Sequence, residues 1–225
     1  MGNFFEYYFS EYDFEKKETA VCCPFPHHTE SGVEYQETIP SAHINLDKGV
    51  FHCKVCEKGL SEVSFISEIL GCKYEAASKI ASLYRDVENL HSWNQLKLNP
   101  RTKEICNELG ISDEVIEELH LKTENREEDI AFPVLMYGKV VDVRNYSPYN
   151  RAAKIRSRAG STTGMVIPFD LWINTNPHTW TIICAGEKDM AVARSNGFNA
   201  ITLTGGEKAL PKILKPFKNR RVAIC

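Results

Sequence analysis

A run of metal-ligand side chains between residues 22 and 56 constrains this chain more than any other feature. It reads Cys22-Cys23-Pro24-Phe25-Pro26-His27-His28 and closes, after residues 29–52, with Cys53-Lys54-Val55-Cys56. A Cys-x2-Cys pair on a tight turn offers two thiolates to one metal, and Gly59 just after it lets the chain turn away. Two ligand-spaced pairs in one stretch predict short strands and turns around a tetrahedral Zn2+. The ligand set is read as Cys23, His28, Cys53 and Cys56. His27 is the alternative to His28, and Cys22 the alternative to Cys23. A closed four-ligand site has no open position for chemistry, so this zinc is expected to hold a fold rather than to catalyse.

The remaining cysteines, Cys72, Cys106, Cys184 and Cys225, sit among apolar residues and read as small buried hydrophobes. Length (225 residues) suits two domains, and 43% apolar with 25% charged residues is enough for a core without disulfides. The net charge of -3 means that any nucleic-acid surface must be local. No run of about 18 apolar residues is present, which argues against a membrane span. The start, with Phe4, Glu6, Tyr8, Glu11 and Asp13, lacks the basic and apolar stretches of a signal peptide. A cytosolic protein is expected.

Residues 1–20 read as an irregular arm or a short helix. Val63, Phe65, Ile66, Ile69 and Leu70 follow helical spacing over 61–70, with Ser61 as N-cap and Gly71 as the stop. A second helix is predicted over 74–87, burying Ala77, Ile80, Ala81 and Tyr84. Residues 89–100 read as a linker closing on Asn99-Pro100. Two short helices, 101–109 and 112–119, follow. The period then becomes strand-like over 130–135, 139–145 and 165–168. Beyond that, strands at 180–184, 200–203 and 221–225 alternate with helices at 188–195 and 207–214, the pattern of a parallel sheet.

The first part resembles the Cys-His-Cys-Cys zinc ribbon of bacterial and phage DNA primases. The likeness spans roughly residues 20–85: Cys23-Pro24-Phe25 with its histidine, Pro40-Ser41, Phe51-His52-Cys53, Cys56, Gly59, and the helix leading to Gly71 and Tyr74-Glu75-Ala76. The histidine comes one residue later here than the family often has it, and the loop before Pro40 is longer. In that family the ribbon engages single-stranded template. Aromatic faces stack on unpaired bases and basic side chains follow phosphates, which makes Phe51, His52, Lys54 and Lys58 the expected contacts. His43 and His52 read as structural or DNA-facing rather than as ligands.

Cys184-Ala185-Gly186-Glu187-Lys188-Asp189 follows a predicted strand, and ligands gather at the carboxyl ends of parallel strands. Carboxylates there can hold Mg2+, although a Glu or Asp at such a turn commonly just caps the helix. The segment resembles the first motif of a Toprim domain, with Gly186 and Asp189 in place and Ala185 where the family has its first Glu. Glu187 is the substitute carboxylate. Thr204-Gly205-Gly206-Glu207 resembles the glycine turn after the next Toprim strand. The family carries an Asp-x-Asp pair after the strand that corresponds to 221–225. The sequence is therefore expected either to be cut just before those ligands or to lack that half. Val141-Asp142-Val143-Arg144 with Lys154, Arg156, Arg158 and Gly160 resembles the basic part of the primase polymerase domain.

The resemblance implies an α+β chain: a small zinc β-ribbon with trailing helices, then an α/β polymerase module ending in a partial Toprim sheet. Its expected divisions are an arm (1–20), a zinc-ribbon template-binding domain (21–88), a linker (89–100), the front of the polymerase domain (101–178) and a partial Toprim subdomain (179–225). The implied activity is RNA-primer synthesis on single-stranded DNA from ribonucleoside triphosphates, beside a fused or separate replicative helicase. Structural Zn2+ and catalytic Mg2+, or Mn2+ in its place, are the implied metals. Glu187 and Asp189 are the expected catalytic carboxylates, and Arg144, Lys154 and Arg156 the nucleotide or template contacts. The rival expectation is a zinc-dependent DNA-binding or assembly module without catalysis.

Overall fold

The computed structural model describes residues 3–15, 17–85, 93–150, 154–157, 163–209 and 211–225. Its contacts divide the chain into two units, residues 1–87 and 88–225. Arg158 and Gly160 lie outside the described residues, as does the side chain of Glu207.

The first unit opens with helix α1 (Phe4–Tyr8), started by a capping box in which Asn3 and Glu6 satisfy each other's backbone N–H groups. Strand β1 (Glu18–Val21) follows, then a two-stranded hairpin of β2 (His27–His28) and β3 (Glu34–Tyr35). Strands β4 (Ala42–Asn45), β5 (Val50–Cys53) and β6 (Gly59–Ser61) join β1 in an antiparallel sheet of order β1-β4-β5-β6. Side chains alternate across such a sheet, so Val21, Ala42, Ile44, Phe51 and Cys53 turn inward and His52 turns out.

Helix α2 (Glu62–Leu70) begins where the Ser61 hydroxyl accepts the Ser64 N–H, and ends at Gly71 in the left-handed region (φ 60°), as the spacing predicts. Helix α3 (Tyr74–Arg85) buries the four residues expected of it. The core centres on Phe65, whose ring meets those of Phe4, Phe5, Tyr8, Phe9, Phe25 and Phe51 at centroid distances of 5.1–6.3 Å. Residues 4–9 are thus part of this core and not a free-standing arm. Glu62, buried, accepts the Phe4 N–H at 2.7 Å and pairs with Arg85, which ties α1 and α3 to the start of α2.

The second unit starts its regular structure with α4 (Pro100–Glu108) and α5 (Asp113–Glu118). Asn99-Pro100, where the linker is expected to close, starts the helix: the Asn99 side chain accepts the Thr102 N–H and proline sits in the first turn, where its missing N–H costs nothing. Strands β7 (Ile130–Met136), β8 (Lys139–Tyr146) and β9 (Ile155–Ser157) form an antiparallel sheet. Next come β10 (Val166–Ile167), α6 (Phe169–Ile173), β11 (Thr181–Cys184), α7 (Glu187–Ser195), β12 (Ala200–Leu203) and β13 (Val222–Ile224). Their sheet has the order β10-β12-β11-β13. β11 is parallel to both β12 and β13, whereas β10 runs antiparallel to β12.

The described residues of 207–214 do not form the expected helix. Short 3-10 turns occupy Gly206–Lys208 and Lys215–Phe217 instead. Pro211 inside the predicted span removes a helical donor and disfavours helix in the residue before it. Cys72, Cys106 and Cys184 are buried as expected, but Cys225 is exposed. Among the described residues, no helix is long and apolar enough to cross a membrane.

Candidate functional site

Cys23, His27, Cys53 and Cys56 bring one ligand atom each to within 4.8 Å of one another. The histidine is His27, not the expected His28. On β2 the two neighbours point to opposite sides, leaving His27 buried and His28 exposed. Cys22 has its backbone N–H on the Tyr12 hydroxyl and stays out of the cluster.

The geometry suits zinc. A tetrahedron with zinc–sulfur arms of about 2.3 Å has a sulfur–sulfur edge of about 3.8 Å, and a sulfur–imidazole edge of about 3.6 Å. The Cys23 and Cys56 Sγ atoms are 3.8 Å apart, and Cys53 Sγ lies 3.4 Å from His27 Nε2. The environment already favours thiolate at one position. Burial pushes the Cys53 thiol up, but the Ser41 hydroxyl and the N–H groups of Cys56 and Val55 outweigh it and bring the group down to about 6. Burial drives the Cys23 thiol upward. Glu37 stands behind the cluster. Burial acts to raise its carboxyl, and hydrogen bonds from the Cys23 N–H and from Ser41 more than offset this, holding it below the ordinary range.

Of the expected template contacts, Phe51 is wholly enclosed, with its ring 5.8 Å from Phe25 and 5.1 Å from Phe65. It is a core residue and has no free face for a base. The alternation that exposes His52 is the reason. Lys54 is exposed. Lys58 holds Glu68 at 2.5 Å and lies over the Phe25 ring.

In the second unit, a cavity of about 320 Å3 opens at the carboxyl ends of β11 and β12, where parallel sheets gather ligands. Arg144, Tyr146 and Lys154 line one side, and the turn from Ala185 to Asp189 the other, closed by Gly205 and Gly206. Gly206 (φ 68°) lies so close to Ala185 that a Cβ would stand 3.0 Å from its carbonyl oxygen, which fixes glycine there.

Glu187 and Asp189 differ in environment. Glu187 is buried and accepts from Arg144 Nε at 3.0 Å, while Arg144 also donates to Ser157. Asp189 is half exposed and pairs with its neighbour Lys188 at 2.6 Å. Arg156 does not join this pocket. It pairs with Asn145 across the sheet, whereas Arg144 pairs with Ser157, and so belongs to the opposite face. There it pairs with Asp129 and donates to Ser147. Among the described residues, the three cysteines and His27 form the only cluster of three or more metal-ligand side chains. Sequence reasoning missed Glu37, Ser157 and Tyr146. The period of β8, which puts Tyr146 on the face of Arg144, was the available signal for the last.

No family model matches the sequence, and no curated protein matches it. Similar solved structures exist. The primase of Aquifex aeolicus, in its zinc-binding and RNA polymerase domains, is 15% identical over 87% of this chain and 62% of that chain (TM-score 0.42). The DnaG primase catalytic domain bound to ssDNA is 15% identical over 66% of this chain and 64% of that one (TM-score 0.50). The primase fragment of the bacteriophage T7 primase-helicase protein is 13% identical over 83% and 69% (TM-score 0.36). The chain thus spans less than two thirds of the length of the first two.

Proposed function

We propose that this chain, which over about two thirds of its length shares the fold of the DnaG primase catalytic domain, carries the template-reading and nucleotide-handling functions of a DNA primase. The observation that carries the reading is the pocket at the ends of β11 and β12, lined by Arg144, Lys154 and Asp189 together with Gly205 and Gly206. Guanidinium and ammonium groups suit phosphate oxygens. In this reading they hold the triphosphate of an incoming ribonucleotide or the template backbone.

Cys23, His27, Cys53 and Cys56 hold zinc, which keeps the first unit folded. The exposed His52 and Lys54 face the unpaired strand. Glu187 serves the pocket indirectly, by fixing Arg144. Mg2+ binds through one or two carboxylates plus substrate phosphates, so Asp189 with a bound triphosphate fits it. When bound, Mg2+ or Mn2+ would neutralise the triphosphate and activate the attacking 3′-hydroxyl. A replicative helicase is the partner the reading implies.

The test is incubation of the chain with single-stranded DNA, Mg2+ and labelled ribonucleoside triphosphates. Short RNA products that vanish in Asp189→Ala are expected. A second reading, a zinc-dependent DNA-binding module, is favoured by Ala185 standing where a carboxylate is expected and by the commitment of Glu187 to Arg144. Absence of products with DNA binding retained selects that second reading.

A further inference from the structure

We propose that Glu37 is the positioning residue of the Cys/His centre: a buried carboxylate that sets the tautomer of His27 and anchors the first ligand pair. This rests on the reading that the cluster holds zinc. Glu37 belongs to none of the ligand motifs of the sequence, and its side chain is only 7% exposed. An ionised carboxylate withdrawn from water is costly unless it is paired or hydrogen-bonded. Here its partners all belong to the centre. Oε2 accepts the N–H of the ligand Cys23 at 2.7 Å and that of Ser41 at 3.3 Å. Oε1 accepts the Ser41 hydroxyl and lies 3.3 Å from His27 Nδ1. Ser41 Oγ is in turn 3.4 Å from Cys53 Sγ, so a third ligand is within reach of the same group.

The His27 ring therefore lies between the Glu37 carboxyl group and a ligand sulfur. Nε2 lies 3.4 Å from Cys53 Sγ, on the side of the cysteines. Nδ1 is buried and makes no hydrogen bond among the described residues; Glu37 Oε1 is 3.3 Å from it. In the proposed zinc-bound state the ring gives its Nε2 lone pair to the metal and keeps its proton on Nδ1, facing the Glu37 carboxylate. Carboxylates placed behind ligand histidines fix ring orientation and raise ligand basicity, and losing one typically lowers metal affinity by about 10–100-fold. Glu37 also holds a second ligand, Cys23, by accepting its backbone N–H. It thereby couples the spacing of the first pair to the orientation of the imidazole.

The experiment compares the full chain with Glu37→Gln, a substitution of equal size that keeps one acceptor oxygen. Zinc affinity is measured by competition with a chromophoric chelator. Long-range 1H–15N NMR of the zinc-loaded native chain reads the His27 tautomer. The expected result is zinc on Nε2 with a proton on Nδ1 in the native chain, and zinc binding weakened about tenfold or more in Glu37→Gln. Unchanged affinity in the variant overturns the role of Glu37 and leaves the zinc reading standing. So does ligation through Nδ1, which needs no variant and is decisive even where Glu37→Gln does not fold. A native chain that takes up no zinc fails at the earlier step and removes both.

Discussion

Removing the Glu187 carboxylate should destabilise the second unit before it does anything to chemistry. The side chains of Glu187 and Arg144 are 2% and 8% exposed, with Oε1 and Nε 3.0 Å apart. Truncation to Ala leaves a buried guanidinium with the Ser157 hydroxyl as its remaining partner in the pocket wall. Breaking a buried pair from one side costs about 3–5 kcal/mol. That is a large share of the roughly 5–15 kcal/mol that holds a typical domain, and corresponds to a fall in Tm of roughly 10–20 °C. Glu187→Gln keeps an oxygen to accept from Nε and should cost about 1–3 kcal/mol. Joint replacement, Arg144→Met with Glu187→Leu, should recover most of the loss, because no buried charge is then left alone.

The assay is urea denaturation followed by tryptophan fluorescence. All three tryptophans, Trp93, Trp172 and Trp180, lie in the second unit, so the signal reports on it alone. A Glu187→Ala variant as stable as the native chain, or more so, would refute the pairing. A midpoint raised by Mg2+ in the native chain but not in Glu187→Gln would also refute it, by returning Glu187 to the metal.

Three further outcomes separate buried residues of the first unit from exposed ones. His27→Ala should lose zinc on dialysis while His28→Ala keeps it, as measured by metal analysis; retention in both would show that the buried histidine is no ligand. Phe51→Ala should destabilise the first unit by about 3–5 kcal/mol in thermal unfolding, as core phenylalanines do. Lys54→Ala should leave stability unchanged and lower the salt dependence of single-strand binding, as loss of one phosphate contact does.

Much of this architecture is legible in the residues because it is written in short-range physics. Ser61 and Gly71 bracket their helix through a hydroxyl cap and a left-handed stop, and the ranges of β7, β8, β11 and β12 follow from strings of β-branched and apolar residues. The zinc centre was legible as a set but not residue by residue. Adjacent histidines carry equal chemistry, and only the pleat of a two-residue strand decides that His27 faces in. The same one-residue alternation turned Phe51 inward and Arg156 away from Arg144, which spacing along the chain does not reveal without register. Glu37 was invisible for another reason. It meets Cys23 and His27 through the loop that brings β3 back to β4, a tertiary approach with no periodic signal. Residues 1–20 read as an irregular arm or a short helix; the helix forms at Phe4–Tyr8, but composition did not show that Phe4, Phe5 and Phe9 would fill the core.

The claim common to both functional readings is that the zinc-holding chain engages single-stranded DNA. The direct measurement is fluorescence anisotropy of a labelled single-stranded oligonucleotide titrated with the full chain, before and after zinc is stripped by a chelator, with duplex of the same sequence as control. The account predicts preference for the single strand, loss of that binding without zinc, and its return when zinc is restored. Equal binding by the native and zinc-free chains, or none by either, would contradict it.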